Sequence, residues 1–134
     1  MREILFRGKR IEDGQWVEGH YHFANWYLPP SMEIVDRTHH ILQIGRGDAA
    51  EIDPETVGQF TGLTDKNGNK IFEGDIVRYM NKETMVVVWN KDSASFAIAY
   101  SAINFNYLAT ISSAHIYLEV IGNIHDNPEL LKEE

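Results

Sequence analysis

No cysteine occurs among the 134 residues, which removes disulfides, zinc–thiolate centres and thiol nucleophiles together. A reducing, intracellular compartment suits that composition. Long apolar runs are lacking too. The opening stretch MREILFRGKR holds only Ile4, Leu5 and Phe6 in succession, too little for a signal-peptide core, and no window reaches the length of a membrane span. The expectation is a cytoplasmic protein with no membrane contact. Proline is scarce at 4 residues, and no Pro-, Gly- or Ser-rich linker interrupts the chain. One domain over 1–134 is therefore expected, divisible into an N-terminal hairpin lobe, 1–59, and a barrel lobe, 60–126. Cations are also in the minority: 12 Lys and Arg face 20 Asp and Glu, a net charge of -8, which opposes sequence-independent attraction to phosphate backbones. Arg2, Arg7, Lys9 and Arg10 are the local exception.

What is present reads as strand. QWVEGHYHF alternates so that Val17, Tyr21 and Phe23 share one face and Trp16, Glu18, His20 and His22 the other. SFAIAYS sets Phe96, Ile98 and Tyr100 against Ala97 and Ala99, and YLEVIGNI aligns Leu118, Val120 and Ile124 with Glu119 opposite. Period two in three places argues for antiparallel sheet with one buried face. ETMVVVWN, 83–90, is continuously apolar at its centre and reads as a strand covered on both faces, because β-branched Val86, Val87 and Val88 suit a pleated surface. Trp89, Phe96 and Tyr100 are assigned to the core. Helix signals are short: Asp53 caps and Pro54 starts a turn near 53–58, and Asn127 with Pro128 repeats the device near 127–132.

FRGKRIEDGQWVEG, 6–19, resembles FTGLTDKNGNKIFEG, 60–74: each has Phe-x-Gly, a polar turn with Asp-Gly or Asn-Gly, then Glu-Gly. Each predicts a hairpin, since such pairs supply the positive φ angles of a two-residue turn. Gly74 is expected at a bend that Asp75 ties through its own backbone hydrogen bonds. Five short strands after that entry suit a small SH3-like barrel, which removes its edges by curling. The fold class expected is mostly β, antiparallel hairpins plus that barrel.

ILFRGKRIEDGQWVEG, IDPETVGQFTGLTDKNGNKIFEGDIV and LEVIGNIHDNPELL together resemble the YopX family of bacteriophage and prophage proteins. The resemblance implies a mostly β accessory protein from a phage of a Gram-positive host, made in the host cytoplasm. It supplies no activity, and residues 24–50 and 80–115 carry no matching motif.

Candidate sites fall into three classes. Trp16, Trp26, Tyr27, Pro29 and Pro30, at outer or loop positions, would pack on a protein, either a host or phage protein or another copy of the chain as a homo-oligomer, with exposed strand edges assisting. A nucleic-acid alternative uses Arg2, Arg7, Lys9 and Arg10 with aromatic stacking. A metal alternative uses Glu18, His20 and His22, since residues two apart on a strand point the same way and two imidazoles so placed can share an ion. That face is expected to be solvated, and adjacent His39 and His40 point to opposite sides. Asp48, Glu51, Asp53 and Glu55 lack the alternation of a calcium loop and read as solvated loop acids. Ser93, Ser95, Ser101, Ser112 and Ser113 lack a Gly-x-Ser-x-Gly setting. GRGDAA lacks the spacing of a dinucleotide or phosphate loop and reads as a turn. No cofactor and no catalysis are expected.

Overall fold

A computed structural model describes residues 3–25, 38–100 and 107–131. The strands form two antiparallel sheets, of six and five strands, and the chain divides into two compact units, Ile4–Gln59 and the chain from Phe60 onward.

In the first unit β1 (Phe6–Lys9), β2 (Trp16–Asn25), β3 (Thr38–Gly45) and β4 (Asp48–Glu51) precede a 3-10 turn at Pro54–Thr56 and the start of β5 (Gly58–Thr64). The order is β4-β3-β2-β1-β5. The alternation read in β2 holds as far as the side chains are described: Val17 and Tyr21 are half-buried, while Glu18, His20 and His22 are exposed. Gly19 is required by close approach, because a Cβ there would stand 2.3 Å from the Gln43 carbonyl oxygen. Asp53 accepts from the Glu55 N–H and Pro54 follows as the first turn residue, as the sequence indicates. The Gly45–Glu51 segment is more than a turn, for its second half is β4, paired with β3.

In the second unit β5 pairs with β6 (Lys70–Phe72). Then follow β7 (Asp75–Tyr79), β8 (Glu83–Asn90), β9 (Ser95–Ala99), β10 (Tyr107–Thr110), α1 (Ile111–Ala114), a 3-10 turn at His115–Tyr117, β11 (Leu118–Asn123) and a last 3-10 turn at Pro128–Leu131. The five-stranded order is β10-β9-β8-β7-β11. β8 is covered on both faces as expected: Met85 and Val87 pack with Val77, Ile98, Ile111 and Leu118 on one side, and Val86 and Val88 pack with Ala99, Ile124 and Leu131 on the other. Each such side chain removed from water stabilises by about 1.5–3 kcal/mol. β9 is likewise buried on both faces, since Ala97 and Ala99 are as covered as Ile98, so the single buried face read from its alternation is corrected.

Gly74, at φ 91°, makes the bend before β7, and Asp75 accepts there from the Phe72 N–H at 2.8 Å. The SH3-like barrel is not found closed among the described residues. The sheet runs from β10 at one edge to β11 at the other, and with apolar clusters on both of its faces it has no single interior to curl around. The edge beside β11 is covered differently: the Lys66 N–H donates to the Leu118 carbonyl, and buried Asp65 accepts from the Val120 N–H at 2.9 Å.

Two further readings are corrected. Leu118 and Val120 share a face as read, but Ile124 does not, because a bulge between Val120 and Gly122 adds Ile121 to β11 and flips the alternation. Leu118 therefore joins one cluster and Ile124 the other. Trp89 and Tyr100 are not core residues, at 44% and 41% exposure. They lie on the same side of the sheet as Met85 and Ile98, but beyond the stretch that Ile71, Ile111 and Leu118 cover.

Candidate interaction surfaces

On the sheet of the first unit, cross-strand register brings together residues that the sequence offers as separate candidates. Arg7 pairs with Glu18 and Lys9 with Trp16, while His20 and His22 continue the same face of β2. The Arg7 guanidinium lies 4.9 Å and the Lys9 ammonium 5.5 Å from the centre of the Trp16 ring, so both cations and the indole, all half-buried, are engaged with one another. Arg10 instead pairs with Asp13, its Nε donating to Oδ1 at 2.9 Å. That hydrogen bond holds the Asp13 carboxyl below the usual carboxylate range.

His39 bonds to Glu51 and His40 to the Tyr21 hydroxyl, on the opposite sides expected of neighbours in a strand. Burial raises the Tyr21 hydroxyl's pKa above its ordinary value. Among the described residues no group of three His, Cys, Asp or Glu is placed to hold a metal ion. In the first unit a cleft of about 330 Å³ lies between Arg10–Glu12 and Ala49–Glu51. Of its charged lining residues, Arg10 is tied to Asp13 and Glu51 to His39, while Glu12 is exposed. Trp26, Tyr27, Pro29, Pro30 and Arg2 lie outside the described residues.

The second unit carries two features that sequence reading missed. The β7–β8 connection is a tight turn in which the Lys82 N–H donates to the Tyr79 carbonyl. Its two central residues, Met80 and Asn81, have φ of 53° and 60°, the geometry of a type I′ hairpin turn. That turn favours Asn and Gly, so Asn81 fits it and Met80 does not. The Met80 side chain is 57% exposed, beside Ile116 at 56% and Tyr117 at 46%, and the Met80 N–H donates to the Tyr117 carbonyl. Three large apolar side chains thus stand in water at one end of the unit, one of them on a strained backbone.

The second feature is a groove of about 230 Å³. Leu63, Trp89, Ala94, Phe96 and Ile111 supply its apolar lining, and Thr61, Ser95, Thr110 and Ser112 its hydroxyls. Trp89 meets Phe96 edge to face, ring centres 4.9 Å apart. Ala94 has φ of 51°, again a conformation that glycine adopts at less cost. None of the described side chains that line it is ionisable.

The model of the YopX protein family matches residues 5–132, so the chain belongs to that family. No curated protein matches it. Among solved structures, the chain is similar to the crystal structure of protein EF1440 from Enterococcus faecalis, at 24% identity and a TM-score of 0.52, over 98% of this chain and 100% of that one. That likeness concerns the fold. No helix among the described residues is long and apolar enough to cross a membrane.

Proposed function

We propose that this YopX-family chain is a non-catalytic accessory module of a phage or prophage, acting in the cytoplasm of its host by binding protein through the exposed apolar surface of its second unit. The observation that carries the reading is Met80. A large apolar side chain on a positive-φ turn residue forgoes stability twice, by backbone strain of about 1–2 kcal/mol and by exposure to water. Such departures from local preference gather at functional positions. Ile116 and Tyr117 extend the patch, and Met and Tyr are both enriched at protein interfaces. A groove whose described lining is neutral supports binding over acid–base chemistry.

Strand edges support the reading less than the sequence suggests. β4 is four residues long with Asp48 and Glu51 at its ends, and β10 is equally short and bulged. Both features discourage edge pairing. One observation favours a second reading, binding of nucleic acid: Arg7, Lys9 and Trp16 converge on one sheet face. Against it, the first unit carries five Lys and Arg against nine Asp and Glu.

The test is affinity capture from phage-infected host cells, with wild-type chain beside Met80→Asp and a double Arg7→Gln, Lys9→Gln variant. A stoichiometric protein, retained through nuclease treatment and lost with Met80→Asp, supports the protein-binding reading. Retention that nuclease abolishes, or that only the double variant loses, overturns it in favour of nucleic acid.

A further inference from the structure

The 134 residues hold no cysteine, so the thiolate that reacts first with peroxides elsewhere is absent and the thioethers of 4 methionines carry all the sulfur. Two of them, Met80 and Met85, belong to the described residues and stand on one hairpin in opposite surroundings. Met85, in β8, has no exposed surface and packs with Val77, Ile98 and Leu118. Met80, in the turn before that strand, is 57% exposed. A small oxidant in solution meets the Met80 sulfur directly, and the Met85 sulfur only when the cluster opens.

The turn maintains that contrast. The Met80 N–H donates to the Tyr117 carbonyl and the Lys82 N–H to the Tyr79 carbonyl, while the Lys66 ammonium donates to the Asn81 side-chain oxygen at 2.8 Å. A turn anchored at each of these residues keeps the Met80 thioether outside the cluster instead of letting it fold back on the core. Met80 belongs to neither apolar cluster. A polar atom gained there stays in water, whereas one gained at Met85 would be buried among apolar side chains.

Resting on the protein-binding reading above, we propose that Met80 is a site of reversible oxidation, at which hydrogen peroxide switches off the surface that binds protein. The sulfur gives an electron pair to one peroxide oxygen, an S–O bond forms and the O–O bond breaks. The proton on the transferred oxygen passes to the departing hydroxide, which leaves as water, so the thioether is oxidised to a sulfoxide and the peroxide reduced. A flexible apolar side chain thereby becomes a polar one, and the patch it shares with Ile116 and Tyr117 loses its thioether. Methionine sulfoxide reductases, drawing electrons from a dithiol, return the sulfur to its first state.

Peptide mapping by mass spectrometry, on the full chain sampled through exposure to hydrogen peroxide, tests the site. Met80 is expected to convert completely while Met85 remains a thioether, and in denaturant the two are expected to convert together. Chain with Met80 oxidised and Met85 intact is expected to keep the wild-type Tm and to lose the protein retained in affinity capture. Treatment with methionine sulfoxide reductases, one for each epimer, is expected to restore that retention. Met80→Leu keeps an apolar side chain without an oxidisable sulfur, and is expected to retain the protein after the same peroxide treatment. That variant also separates Met80 from Met1 and Met32, which lie outside the described residues. Conversion of Met85 as fast as Met80 in the folded chain, or loss of the captured protein by peroxide-treated Met80→Leu, overturns the proposal. A wild type that retains no protein before oxidation overturns the binding reading and the switch built on it, while the peptide map still decides whether Met80 is the site of oxidation.

Discussion

At Asp65 two opposing effects meet. Burial, to 5% exposure, disfavours the carboxylate, but the backbone N–H groups of Val120, Asn69 and Asn67 donate to it and outweigh that penalty, so its pKa lies below 3.8. Oδ1 serves the hairpin turn through Asn67 and Asn69, while Oδ2 reaches Val120 on β11. Asp65→Asn keeps an oxygen for the turn but sets an amide nitrogen against the Val120 N–H. The expected cost is about 1–3 kcal/mol, read from urea midpoints near neutral pH. A folded-state pKa held below the unfolded value means the carboxylate's contribution is complete above 3.8 and is lost as pH falls through the folded value. The gap between wild type and variant should therefore narrow below that pH. A gap unchanged in acid would show that the charge plays no part in tying the turn to β11.

Among the elements, the β7–β8 hairpin separates what stabilises from what binds. Met80→Asn places a residue tolerant of left-handed backbone at φ 53°. It should raise stability by about 0.5–1 kcal/mol, visible as a higher Tm, while losing the protein retained in affinity capture. A fall in Tm would mean that Met80 is there for packing.

The same hairpin shows where sequence reading stops. The paired strands around Asp13-Gly14 and Asn67-Gly68 and the Pro54 turn were legible because their signals are local: Gly14 and Gly68 do take positive φ, at 72° and 84°. Even there the turn type was not legible. The residues before these glycines keep negative φ, and carboxylates of Asp13 and Asp65 close the turns instead. Tyr79–Lys82 has no glycine, so its propensities point away from the turn it forms. The extra residue in β11 depends on what β7 offers opposite, which no stretch of β11 records. The candidate surfaces were least legible. Arg7, Lys9 and Trp16 converge only through strand register, and Trp89 has the apolar character of a core residue at a position the core does not reach.

For the whole molecule, the distribution of buried apolar side chains decides where stability resides. Both apolar clusters, the one around Val87, Ile98 and Leu118 and the one around Val86 and Ala99, belong to the unit from Phe60 onward. Among the described residues, the first unit's buried apolar side chains are Ile41, Leu42, Ala50 and Ile52. Conformational entropy opposes folding by about 1–2 kcal/mol per ordered residue. The second unit offsets it with side chains on both faces of its five-stranded sheet, whereas the described residues of the first contribute four of modest size. Small domains sit close to that balance. A fragment beginning at Gly58, which keeps β5 whole, should therefore show strand-type circular dichroism and a cooperative melt. A fragment of residues 4–57 should show neither. Failure of the longer fragment to melt cooperatively would mean that the two clusters are not sufficient, and that residues 4–57 contribute stability out of proportion to the apolar surface they cover.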